Sequence, residues 1–412
     1  MNCTLQDQEH VIKDKGKSSV LWIAFLLGAL ASFGPLSIDM YLPALPNLVT
    51  ELNSSTSLAQ LSLTSCLLGI ALGQLFVGPF SDVFGRRGPL LIGLCIYVVS
   101  SLLCMFATTI WTFITMRFIQ GLAGSAGIVI SRAIVRDLYS GSEMTRLFSL
   151  LMLVNGVAPI LAPILGGQVL QVASWRGIFL VLFAMGVAML IAIFFGLKET
   201  LPLSRRSKGG LRNTILTFRE LIKNRTFMGY ALGQGFVMAG MFAYISGSPF
   251  ILQNIFGVSP QMFSLLFGIN SIGIIIAGQI TGRLAGRISE KKLLIAGLTL
   301  SFAGGVLLLL MILIGGGLYS ILLPLFVVVS SVGIVGTSSF SLAMQDQAKA
   351  AGSAAALIGV LSFVFGGLMA PLVGIGGSHT ALPMGITIAV AETAAVLSYF
   401  FLIRHELDDS MT

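Results

Sequence analysis

Charge is what this sequence has least of. Lys, Arg, Asp and Glu make up 10% of 412 residues, against 56% hydrophobic residues. A soluble domain of that length carries far more charge, so this balance marks a polytopic membrane protein. Cysteine is also scarce. None of the four has CxxC spacing, and Cys66, Cys95 and Cys104 sit in apolar runs, which excludes a disulfide framework; Cys3 lies near the start. His10, His379 and His405 are scattered, and no metal cluster, phosphate loop or nucleophilic triad is visible. Polar stretches are few, the longest being the segment to Ser19 and residues 198–225. They leave no room for a soluble catalytic domain, so no enzyme, cofactor or metal is expected.

What the chain has in abundance is apolar runs. A spanning helix needs roughly 20 apolar residues. Twelve such runs are predicted at 20–43, 58–79, 88–107, 109–133, 146–171, 176–197, 227–253, 261–283, 291–313, 318–343, 353–376 and 381–403. They are continuously apolar rather than alternating, which predicts helices and not a barrel. Forty-eight glycines suit close approach of membrane helices. The fold class expected is therefore an all-α polytopic membrane protein.

The basic residues fix an orientation. Lys13, Lys15, Lys17, Arg86, Arg87, Arg136, Arg146, the basic link, the 283–292 loop, Lys349 and Arg404 all fall on one side, and only Arg176 falls in a loop on the other. The positive-inside rule makes that side, with both termini, cytoplasmic. The net charge of +8 thus has a membrane explanation and calls for no nucleic-acid partner. Ala29-Leu30-Ala31 imitates a signal-peptide cleavage site, but the apolar run continues to Pro43, too long for a signal sequence.

The halves repeat. Ala162-Pro163 with Gly166-Gly167 recurs as Ala370-Pro371 with Gly374, Gly73-Gln74 recurs as Gly278-Gln279, and Arg136-Asp137 recurs as Gln345-Asp346. One order and one register imply duplicated halves about an axis along the membrane normal, with a cavity between them near the midplane. The organisation expected is a tail over 1–19, a six-helix bundle over 20–200, a basic linker over 201–225, a second bundle over 226–403 and a tail over 404–412.

A few polar residues stand out against this background. Asp39 lies in helix 1 within residues 34–46, among Pro35, Pro43 and Pro46, which predict a kinked or broken outer half. A charge in hydrocarbon costs about 2.5–3.5 kcal/mol, so such a residue faces a cavity or a partner. Desolvation favours the neutral form of a carboxyl, which makes Asp39 a candidate proton carrier; alternatively helix 1 ends early and Asp39 is a wet outer residue. Arg117 in helix 4 needs an anion or carbonyls. Asp39 is a candidate indirect partner, and a purely structural arginine is the alternative. Glu392 in helix 12 is a possible second acid. Gly156, Pro159, Pro163, Gly166 and Gly167 give helix 5 a hinge and packing surface. Residues 78–87 form a charged island in which Gly78, Asp82, Gly85, Arg86 and Arg87, with Asp137, can act as a conformational latch. There Asp82 can also meet a helix N-terminus of the other half.

These residues resemble the motifs of the major facilitator superfamily. Residues 78–87 are similar to its helix 2–3 signature, 117–124 to the helix 4 motif of proton-coupled members, and 156–167 to the helix 5 motif of drug/proton antiporters. Residues 37–46 resemble the bicyclomycin-resistance (Bcr/CflA) group. The resemblance implies two pseudo-symmetric six-helix bundles, and a monomeric antiporter in a bacterial inner membrane. It would export small amphipathic compounds in exchange for protons as the coupling ion, its only other partner being membrane lipid. By the same resemblance Asp39 carries the proton, Arg117 tunes it, and Asp82, Arg86 and Asp137 form the latch. Candidate cavity residues are Phe33, Tyr41, Gln120, Met238, Met241, Phe242 and Tyr244, since Met and aromatic surfaces accept varied ligands. An exporter of a metabolite such as an amino acid, a proton-coupled uptake symporter, and more distantly a channel or membrane enzyme stay open.

Overall fold

Hydrocarbon offers a backbone no hydrogen-bond partners, so each apolar run satisfies its own amides as a helix. In the computed structural model, which describes residues 17–206, 210–345, 347 and 351–404, twelve long helices result. They are α1 (Lys17–Asp39), α2 (Thr56–Phe84), α3 (Arg87–Met105), α4 (Ile110–Leu138), α5 (Gly141–Val169), α6 (Trp175–Gly196), α7 (Arg225–Phe250), α8 (Pro260–Leu284), α9 (Glu290–Leu313), α10 (Leu318–Met344), α11 (Ala351–Val373) and α12 (Leu382–Tyr399). Among the described residues, eleven segments are long and apolar enough to cross a membrane, and α5 holds a shorter apolar stretch, Leu153–Val169. Cys3, His10, Lys13, Lys15, Asp346, Lys349 and His405 lie outside the described residues, as do most of both tails and part of the linker.

Helix starts follow local chemistry. Ser55, Thr109, Asn224 and Ser259 each accept a hydrogen bond from a backbone N–H three residues on, capping α2, α4, α7 and α8. Several helices overrun the apolar runs that predicted them. The second was expected to stop at residue 79, but α2 continues to Phe84, so the charged island is mostly helix and the turn is only Gly85-Arg86. Hydropathy marks the edge of the hydrocarbon, whereas backbone bonding carries a helix on into water. The basic linker likewise contains an amphipathic helix, Gly210–Lys223, packed against α2, α7 and α11.

The packing repeats with a shift of six helices. α2 lies on α4 as α8 lies on α10; α3 lies on α4 and α6 as α9 lies on α10 and α12; α1 lies on α4 and α5 as α7 lies on α10 and α11. Two glycines show the same close crossing in both halves. A β-carbon at Gly121 would strike the backbone of Cys66, and one at Gly333 would strike the backbone of Ile274. The halves meet where α2 crosses α11 and α5 crosses α8.

That contact is one-sided. At the end away from the linker, four hydrogen bonds among the described residues join the halves. Gln60 Nε2 donates to the Ser246 carbonyl (3.0 Å), Thr64 Oγ1 to Gly367 (2.8 Å), Gln253 Nε2 to Pro43 (3.2 Å) and Gln261 Nε2 to Gly167 (3.0 Å). Toward the linker end the halves part around a vestibule of about 380 Å³, which leads to a central cavity of about 260 Å³. The molecule is closed at the far end and open toward the linker.

Candidate substrate and proton site

The central cavity starts with the face of α1. Gly34, Pro35, Ile38 and Asp39 line it, four residues whose spacing puts them on one side of a helix. α1 ends at Asp39; prolines at 43 and 46 prevent its continuation, and the chain resumes as a 3-10 turn, Leu42–Ala44, and a short helix, Leu45–Glu51. The broken outer half expected from the prolines is present. Asp39 is nonetheless only 5% exposed, so it is a cavity residue rather than a wet helix end. Its carboxylate has no hydrogen bond or ion pair among the described residues. The remaining walls are mostly apolar, with Ile70, Ile128, Met241, Phe242, Phe267 and Phe363, and Gln74, Arg132, Asn155 and Ser271 add polar groups.

Arg117 is elsewhere. It is fully buried on α4, donating to Gln120 Oε1 (2.5 Å) and to the Ser37 carbonyl (2.7 Å), with its guanidinium 4.4 Å from the centre of the Tyr41 ring and 5.6 Å from that of Phe179. Gln120 passes the chain on to Ser101 Oγ at 2.7 Å. The arginine therefore holds α1 through a backbone carbonyl two residues from Asp39 and makes no ion pair with its carboxylate. Charge-assisted bonds of about 1.5–3 kcal/mol each, with a cation–π contact of up to about 2 kcal/mol, offset the cost of burying it.

The charged residues expected to act as a latch gather around Arg86. Its Nε donates to Asp137 Oδ2 at 2.7 Å, and one terminal nitrogen donates to Asp82 Oδ1 at 2.5 Å and Ser81 Oγ at 2.8 Å. Arg87 instead donates to the Phe194 carbonyl at 2.7 Å. Gly85 has φ +92°, a conformation that L side chains rarely adopt, and a β-carbon there would strike Glu199 and Arg206. Gly78 lines the vestibule and has only ordinary contact with Val129. Asp82 lines the vestibule together with Gly352 and Ser353 of α11.

Sequence reasoning missed the residue that holds this turn. Glu199, just past α6, accepts the backbone N–H of Arg86 (2.8 Å), Arg87 (3.2 Å), Thr200 (3.0 Å) and Leu201 (3.0 Å). Burial alone would raise its carboxyl, but the donors at Leu201, Arg86, Arg87 and Thr200 outweigh that and hold it below the usual glutamate value. An acid directly after an apolar run was the signal, and it passed as linker.

The structure divides the candidate cavity residues. Met241 and Phe242 line the cavity. Phe33, Tyr41 and Gln120 do not, because they point into the first bundle. Phe33 packs edge-on against Tyr97 with ring centres 4.7 Å apart, Tyr41 bonds Ser62, and Gln120 serves Arg117. Tyr244 accepts from Asn270 at 2.8 Å and stacks on the cavity residue Phe267, one layer behind the wall; Met238 packs in the apolar core of the second bundle. Arg132, Gln74, Asn155 and Ser271 were missed, since periodicity does not say which face of α2, α4, α5 or α8 meets the other half.

Helix 5 divides between two neighbours. Gly166 approaches the Met40 backbone, Gly156 and Gly167 face Ile275 and Ser264 of α8, Pro159 lines the cavity, and Pro163 is buried within the helix. Glu392 lies outside the cavity. It is buried between Gly240 of α7 and Gly305 of α9 and accepts from Ser301 Oγ at 2.5 Å.

Two six-helix bundles around a one-sided central cavity define a membrane carrier. A sequence profile of the Major Facilitator Superfamily matches residues 21–371, and the chain belongs to that family. It is 46% identical over 389 residues to the "Uncharacterized MFS-type transporter YdgK" of Bacillus subtilis (strain 168), covering 94% of this chain and 96% of that one. It is 30% identical to the "Bicyclomycin resistance protein homolog" of Haemophilus influenzae, covering 95% and 98%. A 28% match to the "Multidrug resistance protein MdtL" of Escherichia fergusonii covers 68% and 71%. Among solved structures, a bacterial homologue of the human lysosomal transporter Spinster superposes with TM-score 0.71 at 15% identity, covering 94% of this chain and 95% of that one. The D-xylose–proton symporter superposes with TM-score 0.70 at 16% identity, covering 93% and 97%.

Proposed function

We propose that this transporter is a proton-coupled antiporter that exports small amphipathic compounds across a bacterial inner membrane by alternating access. One observation carries the reading: Asp39, an unpaired carboxylate, sits in the wall of an otherwise largely apolar cavity between two halves that part at one end only. An unpaired carboxylate in a dehydrated site is a place to hold a proton. The relatives named for bicyclomycin and multidrug resistance support drug-like cargo. With the basic loops cytoplasmic, the open end faces the cytoplasm, the side from which an exporter loads. Cargo entering beside Asp39 favours its ionised form, and a proton taken from outside neutralises it for the return.

The test is transport in everted vesicles under an imposed pH gradient. Accumulation of cargo is expected for the wild type, with loss of gradient-driven accumulation in Asp39→Asn. Accumulation only in right-side-out vesicles would show uptake instead. Gradient-driven transport that survives Asp39→Asn would remove the proton assignment.

A further inference from the structure

Arg132 belongs to no motif invoked so far, yet it is the cation of the cavity. It projects from α4 where the central cavity joins the vestibule, lining both, and its side chain is exposed there. No carboxylate pairs with it: the four ion pairs among the described residues use Arg86 twice, Arg176 and Arg206. It makes no other polar contact among the described residues either. Beside it on α2, Gln74 lines the same two spaces, and its Nε2 is buried without a hydrogen-bond partner. Arg132 thus lines the neck without a protein partner among the described residues, and the Gln74 amide beside it is left unsatisfied as well.

Among the described residues, Asp39 is the only acid lining the central cavity, and it is unpaired as well. Gly34 of α1 abuts Ile128 of α4, which sets the level of one helix against the other. Arg132 lies four residues from that level toward the linker, and Asp39 lies five residues from it toward the far end. At a rise of 1.5 Å per residue their α-carbons are about 13 Å apart along the axis. The two charges stand at opposite ends of an apolar chamber formed by Ile70, Ile128, Met241, Phe242 and Phe363. Asp39 and the Gln74 amide are buried without partners, which is expensive, and Arg132 at the open neck carries a charge that no carboxylate neutralises, so the site suits a ligand that completes all three.

We propose that Arg132, assisted by Gln74, is the specificity residue for an anionic group on the cargo, and that the preferred cargo is an amphipathic zwitterion. Its acidic end lies at Arg132, its apolar body fills the chamber, and its cationic end reaches Asp39. This rests on the cavity being the cargo site. It adds that a cation alone satisfies only half of the site, and that Arg132 discriminates at the loading end while Asp39 is the group shared with the proton.

The test uses full-length protein in detergent and four probes on one phenylbutyl body. They carry a ring carboxylate and a terminal trimethylammonium together, each charge alone, or neither. Equilibrium dialysis is expected to give the zwitterion about tenfold or more higher affinity than the cation, the size of a charge-assisted bond pair. Arg132→Gln is expected to remove that advantage and weaken the anion while leaving the cation unchanged, and Arg132→Lys to restore much of it. Equal binding of cation and zwitterion to the wild type overturns the proposal, as does an Arg132→Gln that weakens all four alike, or the absence of binding by any. The same probes in everted vesicles separate this from the export reading. Selective binding without transport sinks export but upholds the site, whereas transport of all four without preference upholds export and sinks the site.

Discussion

Asp39 and Arg117 are both charges at membrane depth, and their surroundings give them opposite work. Arg117 is enclosed by Ser37, Gln120, Tyr41 and Phe179, every contact supplied by protein. Asp39 faces open space. Removing Arg117 strips donors from two buried acceptors, so Arg117→Ala is expected to lower stability by about 2–4 kcal/mol. Thermal unfolding in detergent checks this. Asp39→Asn keeps the shape and is expected to melt with the wild type while losing pH-driven transport. A common loss of stability in both variants would show that Asp39, too, is structural.

At the scale of elements, the turn between α2 and α3 is held from outside itself. Glu199 clamps its amides, Arg86 ties it to α4 through Asp137, and Gly85 supplies the backbone conformation that lets the chain reverse in two residues. Because the Glu199 carboxyl is held below its ordinary value, its contribution is fully present above the ordinary glutamate range and is lost as pH falls through its lowered value. Hydrogen exchange should therefore show the Arg86, Arg87, Thr200 and Leu201 amides protected at neutral pH and released in acid. Glu199→Gln is expected to leave them weakly protected at every pH. Protection unchanged by that substitution would mean that the turn holds itself. The sequence displayed the charged island plainly because its charges are consecutive among apolar residues. It hid Glu199, more than a hundred positions away, because nothing local to an acid announces the amides it will cap.

The whole molecule is a pair of bundles whose contact is broken at one end. Four hydrogen bonds close the far end, and the vestibule separates the halves near the linker. Alternating access requires those bonds to break and the vestibule to shut. Thr64 of α2 lies against Gly367 of α11 across the closed end. In a chain freed of its native cysteines, Thr64→Cys with Gly367→Cys is expected to cross-link under mild oxidation and stop transport, with recovery on reduction. Full transport by the cross-linked protein would show that the far end does not open.

Composition and the placement of charge determined by themselves that this chain spans a membrane as helices in two repeated halves, and pointed to Asp39, Arg117 and the 78–87 island. Those features are local: a backbone in hydrocarbon must bond to itself, and a charge there is conspicuous whatever its neighbours. Only the tertiary structure decided what each polar residue faces. It turned Phe33, Tyr41 and Gln120 into the first bundle, set Arg117 against a carbonyl, and brought Arg132 and Gln74 into the space shared with Asp39. In a helix surrounded by other helices nearly every face is apolar, so periodicity no longer marks which one meets the opposite half. That choice is made by the close crossings of glycine and small residues between distant segments.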